Sequence, residues 1–148
     1  MSFSKPTLLV FDLDGTLVDT FGDIAGAANH AMQLVGRPSV TVESIIPLVG
    51  GGGRNLVTRC MNDPNASEAE IDTAFAAWKK YYAEHLFDFS RPYPGTAETL
   101  ITLRERGIHL AVLSNKWHGL TEGILIGLGL APLLDAMQGQ TPDKPMKH

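Results

Sequence analysis

Two short runs, Thr7–Phe11 and Ile108–Leu113, are dominated by apolar strand formers. Continuous apolar runs of this length predict strands buried on both faces, as in a parallel sheet. Between them the pattern changes to a helical period. Thr20 with Asp23 forms a capping pattern for a helix reaching about Val35, with Gly36 past its end. Thr41 caps a short helix ending near Pro47, and Gly50–Gly53 is a turn leading into a helix over Arg54–Met61. Ser67 and Glu70 form a second capping pattern, opening a long helix to about Leu86. On it Ile71, Phe75, Trp78 and Tyr82 recur every three or four residues and predict one apolar face.

After Pro92, Pro94 and Gly95, Thr96 caps a helix over Ala97–Arg106 that Gly107 closes. Another helix is predicted near Leu120–Leu128, and Leu134–Met137 begins a third strand. The order is strand, helical block, helix, strand, helix, strand, with no internal repeat. A strand–helix–strand crossover is the unit of a parallel α/β sheet. The helical block interrupts that sheet after its first strand, and is expected over the carboxyl ends of the strands as a lid. Residues 1–18 and 91–148 would then form a split core, and 19–90 a helical cap.

Composition changes this picture little. The 148 residues are 44% hydrophobic and 19% charged, a globular balance with a net charge of -4. That charge gives no reason to expect nucleic acid or an acidic membrane as partner. No apolar run approaches the ~20 residues of a membrane span, and the N-terminal apolar stretch ends at Asp12, too soon for a signal peptide core. A lone Cys60 rules out an internal disulfide framework. A cytoplasmic protein is expected.

The candidate chemistry begins where the first strand stops. Asp12 and Asp14 stand two residues apart in Asp12-Leu13-Asp14-Gly15-Thr16. On extended backbone they would lie on one face, about 6–7 Å apart, and repel by roughly 2–3 kcal/mol at an effective dielectric near 20. A bound cation, or a proton held on one of them, relieves that repulsion. Both arrangements suit phosphoryl chemistry: one carboxylate attacks phosphorus, and the other protonates the leaving oxygen and later activates water. Mg²⁺ favours such hard oxygen ligands. Taken singly, the two aspartates are also compatible with a simple turn.

The glycine run Gly50–Gly53 lacks the Gly-Lys-Ser/Thr of a phosphate-binding P-loop. Its amides, together with Arg54, are instead candidates to face a carboxylate of a small substrate. Asn65-Ala66-Ser67 matches a glycosylation acceptor but reads as a loop and helix cap. Cys60 reads as a packed residue. His30, His85, His109, His118 and His148 show no metal-ligand spacing.

The segment Phe11-Asp12-Leu13-Asp14-Gly15-Thr16-Leu17-Val18-Asp19 resembles the first signature of the haloacid-dehalogenase-like hydrolases. Ser114 resembles their second signature and Lys147 or Lys144 their third. Leu48–Arg54, Pro92-Tyr93-Pro94-Gly95 and Leu113-Ser114-Asn115-Lys116 look like the phosphoglycolate phosphatase branch. The resemblance implies a Rossmann-like core with an inserted helical cap. It makes Asp12 the nucleophile and a Mg²⁺ ligand, and Asp14 the acid/base that also reaches Mg²⁺ through its backbone carbonyl. Ser114 and the Asn115 amide would bind phosphoryl oxygens. The spacing from Ser114 favours Lys147 as the phosphate lysine, while Lys144 has the following proline seen in many relatives.

The implied activity is Mg²⁺-dependent hydrolysis of a small phosphomonoester, with 2-phosphoglycolate favoured. Other sugar-phosphate or nucleotide phosphatases and a phosphosugar mutase would share the same phosphorus site. The family's fourth acidic signature does not occur after Lys147, and only about three core strands are counted. The chain is therefore expected to be the N-terminal part of a longer enzyme, a poor phosphatase by itself, with apolar strand surface left uncovered. A non-catalytic remnant that binds phosphate or a partner is the reading from another class.

Overall fold

The computed structural model describes residues 4–147. The readings made on residues 1–3 and on His148 lie outside the described residues. In chain order the elements are β1 (Leu8–Phe11), β2 (Val18–Asp19), α1 (Phe21–Leu34), α2 (Val42–Ile45), α3 (Gly53–Met61), α4 (Glu68–Glu84), β3 (Arg91–Pro92), α5 (Thr96–Glu105), β4 (His109–Trp117), α6 (His118–Gly127) and β5 (Ala136–Gln140). Strands β1, β4 and β5 form a parallel sheet in that order, with Leu9 opposite Leu110 and Val112 opposite Met137. The chain is thus α/β with helices inserted after the first strand, as its pattern predicts.

Burial of β1 differs from the expectation. Leu9 and Phe11 pack against the core, but Leu8 and Val10 are 53% and 56% exposed. Continuity of apolar residues predicts two covered faces, whereas here one face of β1 is open, in agreement with the other expectation that some apolar strand surface is left uncovered. In β4 the apolar pattern ends at Leu113, yet the strand runs on to Trp117. Gln138 and Gln140 of β5 supply partners to this polar end across a register irregularity between Leu113 and Trp117. The tight fit there depends on Gly139: a Cβ at that position would stand 2.6 Å from both His118 Cα and the Lys116 carbonyl oxygen.

The inserted helices make their own core. Ile24, Ala28 and Met32 of α1 face Ile71, Ala74 and Trp78 of α4, and all are buried. Burying a large aliphatic side chain contributes about 1.5–3 kcal/mol, so this face holds the helices together. Arg37 clamps the loop after α1 onto α4, donating to Asp63 at 2.8 Å and to Glu70 at 2.8 Å. Glu70 is thereby taken from the capping role expected of it, while Ser67 Oγ still accepts from the Glu70 N–H. The Thr41–Ser44 pair forms a complete capping box.

Two other expected caps are used differently. Thr20 and Thr96 make no side-chain cap at α1 and α5, and the Thr96 hydroxyl donates to the Leu17 carbonyl at 3.2 Å. Asp23 does not cap either. It is 2% exposed and accepts from the Phe89 N–H, the Ser90 N–H and the Ser90 hydroxyl at 2.9, 2.8 and 2.5 Å. Beside this knot β2 and β3 pair antiparallel, Val18 opposite Pro92 and Asp19 opposite Arg91. This small ribbon, unforeseen from the pattern, joins the two chain crossings between the helices and the sheet. Among the described residues no helix is long and apolar enough to cross a membrane.

Candidate active site

The site is built where β1 and β4 end. After Phe11 the chain turns, and Leu13 is buried at 0% exposure while Asp12 and Asp14 line a cleft. The Leu13 carbonyl accepts from the N–H groups of Thr16, Leu17 and Val18 at 3.1, 3.1 and 3.2 Å, which tightens the turn. Gly15 sits at φ +73° with the Phe21 ring only 2.8 Å from where a Cβ would be, so both conformation and space call for glycine. The aspartates therefore share a side, but on a turn rather than on the extended strand that their spacing suggested.

Strand alternation on β4 buries Leu110, Val112, Ser114 and Lys116 together. Ser114 lines the cleft, and its Oγ accepts from the Lys116 N–H at 3.1 Å, leaving its hydroxyl hydrogen free to donate. Asn115 also lines the cleft. Its side-chain amide donates to the Gly50 carbonyl at 2.8 Å and to the Lys147 carbonyl at 3.0 Å, and its Oδ1 accepts from the Lys147 N–H at 2.8 Å.

Lys147 Nζ stands 2.9 Å from Asp12 Oδ1 and donates to the Leu113 carbonyl at 2.9 Å. Lys144 instead donates to Gln138 Oε1 at 2.7 Å and does not line the cleft. Of the two lysines, the structure brings Lys147 to the aspartates. Arg54 is not brought there: Glu68 and Asp72 hold its guanidinium at 2.6 and 2.8 Å on the outer surface. Gly50, Gly52 and Gly53 of the same turn do line the cleft, so the glycines arrive without the arginine.

Three residues of the site escaped the reading of the sequence. The hydroxyl of Thr20, buried at 0%, donates to Asp14 Oδ1 at 2.6 Å. Lys116, with a side chain 4% exposed, places Nζ 3.0 Å from the same oxygen. Tyr82 of α4 accepts from Lys116 Nζ at 2.7 Å. Burial works against the Lys116 ammonium, but the attraction of Asp14 and the contact with Tyr82 outweigh it and raise its pKa above the ordinary lysine value. Burial pushes the Tyr82 hydroxyl up to about 12. Thr20 was legible only as a cap, Tyr82 only as part of an apolar face, and Lys116 only as a member of a motif. What could have flagged Lys116 is its place two residues past Ser114, on the same face of a strand.

The inserted helices close one side of this cleft. Beyond the Gly50–Asn115 and Tyr82–Lys116 contacts, Lys79 Nζ lies 3.9 Å from the centre of the Trp117 ring. The enclosed space is about 90 Å³, several times what one water requires and suited to a small ligand. Among the described residues its charged lining is two aspartates and two lysines, paired as Asp12 with Lys147 and Asp14 with Lys116.

The donor set also fits Mg²⁺. That ion takes one or two protein carboxylates and keeps the rest of its shell for water and substrate oxygens. No cluster of three or more His, Cys, Asp or Glu occurs among the described residues, so the site does not resemble an all-protein cage. Among the described residues, Asp12 meets protein donors through Oδ1 alone, from the Leu13 N–H and Lys147, which leaves Oδ2 for a cation. Among the described residues, His30, His85, His109 and His118 stay apart from the cleft lining. Cys60 is packed inside α3, and burial pushes its thiol up to about 11.

A model of the family described as haloacid dehalogenase-like hydrolase matches residues 9–147. The phosphoglycolate phosphatase of Agrobacterium fabrum is 40% identical over 125 residues, covering 83% of this chain and 54% of the relative. That of Thiobacillus denitrificans is 38% identical over 133 residues, covering 87% and 59%. The chain thus spans little more than half the length of these relatives. The crystal structure of a predicted phosphoglycolate phosphatase from Haemophilus somnus matches with a TM-score of 0.90 at 30% identity, over 99% of this chain and 68% of that one.

Proposed function

The chain belongs to the haloacid dehalogenase-like hydrolases, and from that premise we propose that it carries the phosphorus site of a Mg²⁺-dependent phosphomonoester hydrolase working through an aspartyl phosphate on Asp12. The carrying observation is the pairing of each cleft aspartate with its own lysine around one small space. The names of the relatives favour 2-phosphoglycolate as the substrate, and the size of the cleft suits it. Residues 19–90 are read as the cap that covers the reaction, and 1–18 with 91–148 as the core.

Asp12 attacks phosphorus through a carboxylate oxygen, and the ester oxygen leaves with a proton from Asp14. Lys147 and the Ser114 hydroxyl hold phosphoryl oxygens, so that charge developing on them meets fixed donors rather than mobile water. Asp14 then takes a proton from the water that cleaves the aspartyl phosphate and releases inorganic phosphate. Asp12 and the Asp14 carbonyl would hold Mg²⁺, whose positive charge offsets the repulsion between carboxylate and phosphate. The inserted helices exclude other water from the cleft.

The test is phosphate release from 2-phosphoglycolate with Mg²⁺, together with acid-quench trapping of labelled phosphate on the protein. Asp12→Asn is expected to abolish both. Turnover that survives this exchange overturns the proposal.

A further inference from the structure

Lys116 is the one cleft cation that the proposed chemistry leaves without a task. A buried ammonium is costly unless its donors are used. It has three N–H groups; one goes to the Tyr82 oxygen at 2.7 Å and one faces Asp14 Oδ1 at 3.0 Å. No protein acceptor takes the third among the described residues, and Lys116 lines the cleft.

The position of this ammonium relative to Asp14 defines what it can meet. A proton donor works within about 2.6–3.2 Å of the oxygen it serves, so the ester oxygen of a substrate would sit against the Asp14 carboxyl. Lys116 Nζ is the same short distance from that carboxyl. A group one carbon removed from the ester oxygen is therefore within reach of Lys116. Lys147 is committed to Asp12. Arg54, the other cation near the glycine turn, is held outside by Glu68 and Asp72.

We propose that Lys116 is the specificity-determining residue that reads a carboxylate on the leaving group, one carbon from the phosphoester oxygen, through its uncommitted N–H. Tyr82 aims the ammonium from the helical side of the cleft. The inference rests on the reading above that places Asp14 at the ester oxygen.

Equilibrium binding to the full chain in Mg²⁺ tests it with two non-hydrolysable ligands. 3-Phosphonopropionate keeps the carboxylate, and propylphosphonate replaces it with a methyl group. The wild-type protein is expected to bind the first about 10- to 100-fold more tightly, the range one charge-assisted hydrogen bond supplies. Lys116→Met is expected to bring the ratio close to one. Lys116→Gln, which retains hydrogen-bonding capacity toward Tyr82 and Asp14, guards against a folding defect and is expected to do the same. Tyr82→Phe keeps the charge and most of the ratio. In the wild type, the ammonium NMR signal of Lys116 is expected to move with 3-phosphonopropionate and not with propylphosphonate.

A wild-type ratio near one, a ratio preserved in both Lys116 variants, or equal weakening of both ligands overturns the inference and leaves the phosphorus site standing. Failure of the wild type to bind either ligand removes the phosphorus site and the inference together.

Discussion

Asn115 and Lys147 hold each other through two amide hydrogen bonds: the Lys147 N–H donates to Asn115 Oδ1 at 2.8 Å, and Asn115 Nδ2 donates back to the Lys147 carbonyl at 3.0 Å. Lys147 lies on a segment without regular secondary structure. The pairing gives that segment its register on the end of β4, which puts the lysine ammonium 2.9 Å from Asp12.

Loss of the clamp should therefore act through the lysine. Lys147→Met is expected to lower kcat/KM for 2-phosphoglycolate by about 10²–10³-fold, the usual loss for one donor to a developing oxyanion. Asn115→Ala is expected to lower it by about tenfold, since a small misplacement of a charged donor weakens it. Lys144→Ala, whose side chain is spent on Gln138, is expected to change it by less than about twofold. Steady-state kinetics of the three variants checks this.

Asp14 should matter in proportion to how badly the leaving group needs a proton. Asp14→Asn is expected to slow phosphorylation of Asp12 by 2-phosphoglycolate about 10²–10⁴-fold. With p-nitrophenyl phosphate, whose leaving group is stable as an anion, the same step should fall far less. The burst of nitrophenolate in rapid mixing reads the first step apart from later hydrolysis. Equal losses with both esters would remove the acid role from Asp14.

The buried knot at Asp23 carries stability rather than chemistry. Asp23→Ala leaves the Phe89 and Ser90 N–H groups and the Ser90 hydroxyl without their acceptor. The expected cost is about 2–4 kcal/mol. It should appear in urea titration as a lower midpoint with the slope unchanged.

Cys60 should report unfolding. Its thiol is held near 11 in the fold and returns to about 8.5 when exposed. At pH 8 iodoacetamide should label the native protein about a hundredfold or more slowly than the denatured one. The linkage has a definite sign. The unfolded chain loses the thiol proton first, so this group withdraws stability as pH rises from about 8.5 toward 11 and contributes nothing below that window.

Local chemistry alone determined the α/β alternation, the inserted helices and the aspartate turn. Each depends on residues close in the chain: the apolar runs at Leu8–Phe11 and Leu110–Leu113, the helical face of Ile71, Trp78 and Tyr82, and Gly15 beside Asp14. The same local rules misjudged Thr20, Asp23, Glu70 and Thr96. A side chain that can cap a helix can also bond to a distant partner, and only the packed chain decides between them. The register irregularity that carries β4 on to Trp117 depends on β5, more than twenty residues away. The pairing of Lys116 with Asp14 and Tyr82 joins three segments of chain, and Arg54 was drawn to α4 because two carboxylates face it there. These choices between alternative partners are non-local. They are settled by which groups burial brings within hydrogen-bond distance, a quantity that no stretch of sequence carries by itself.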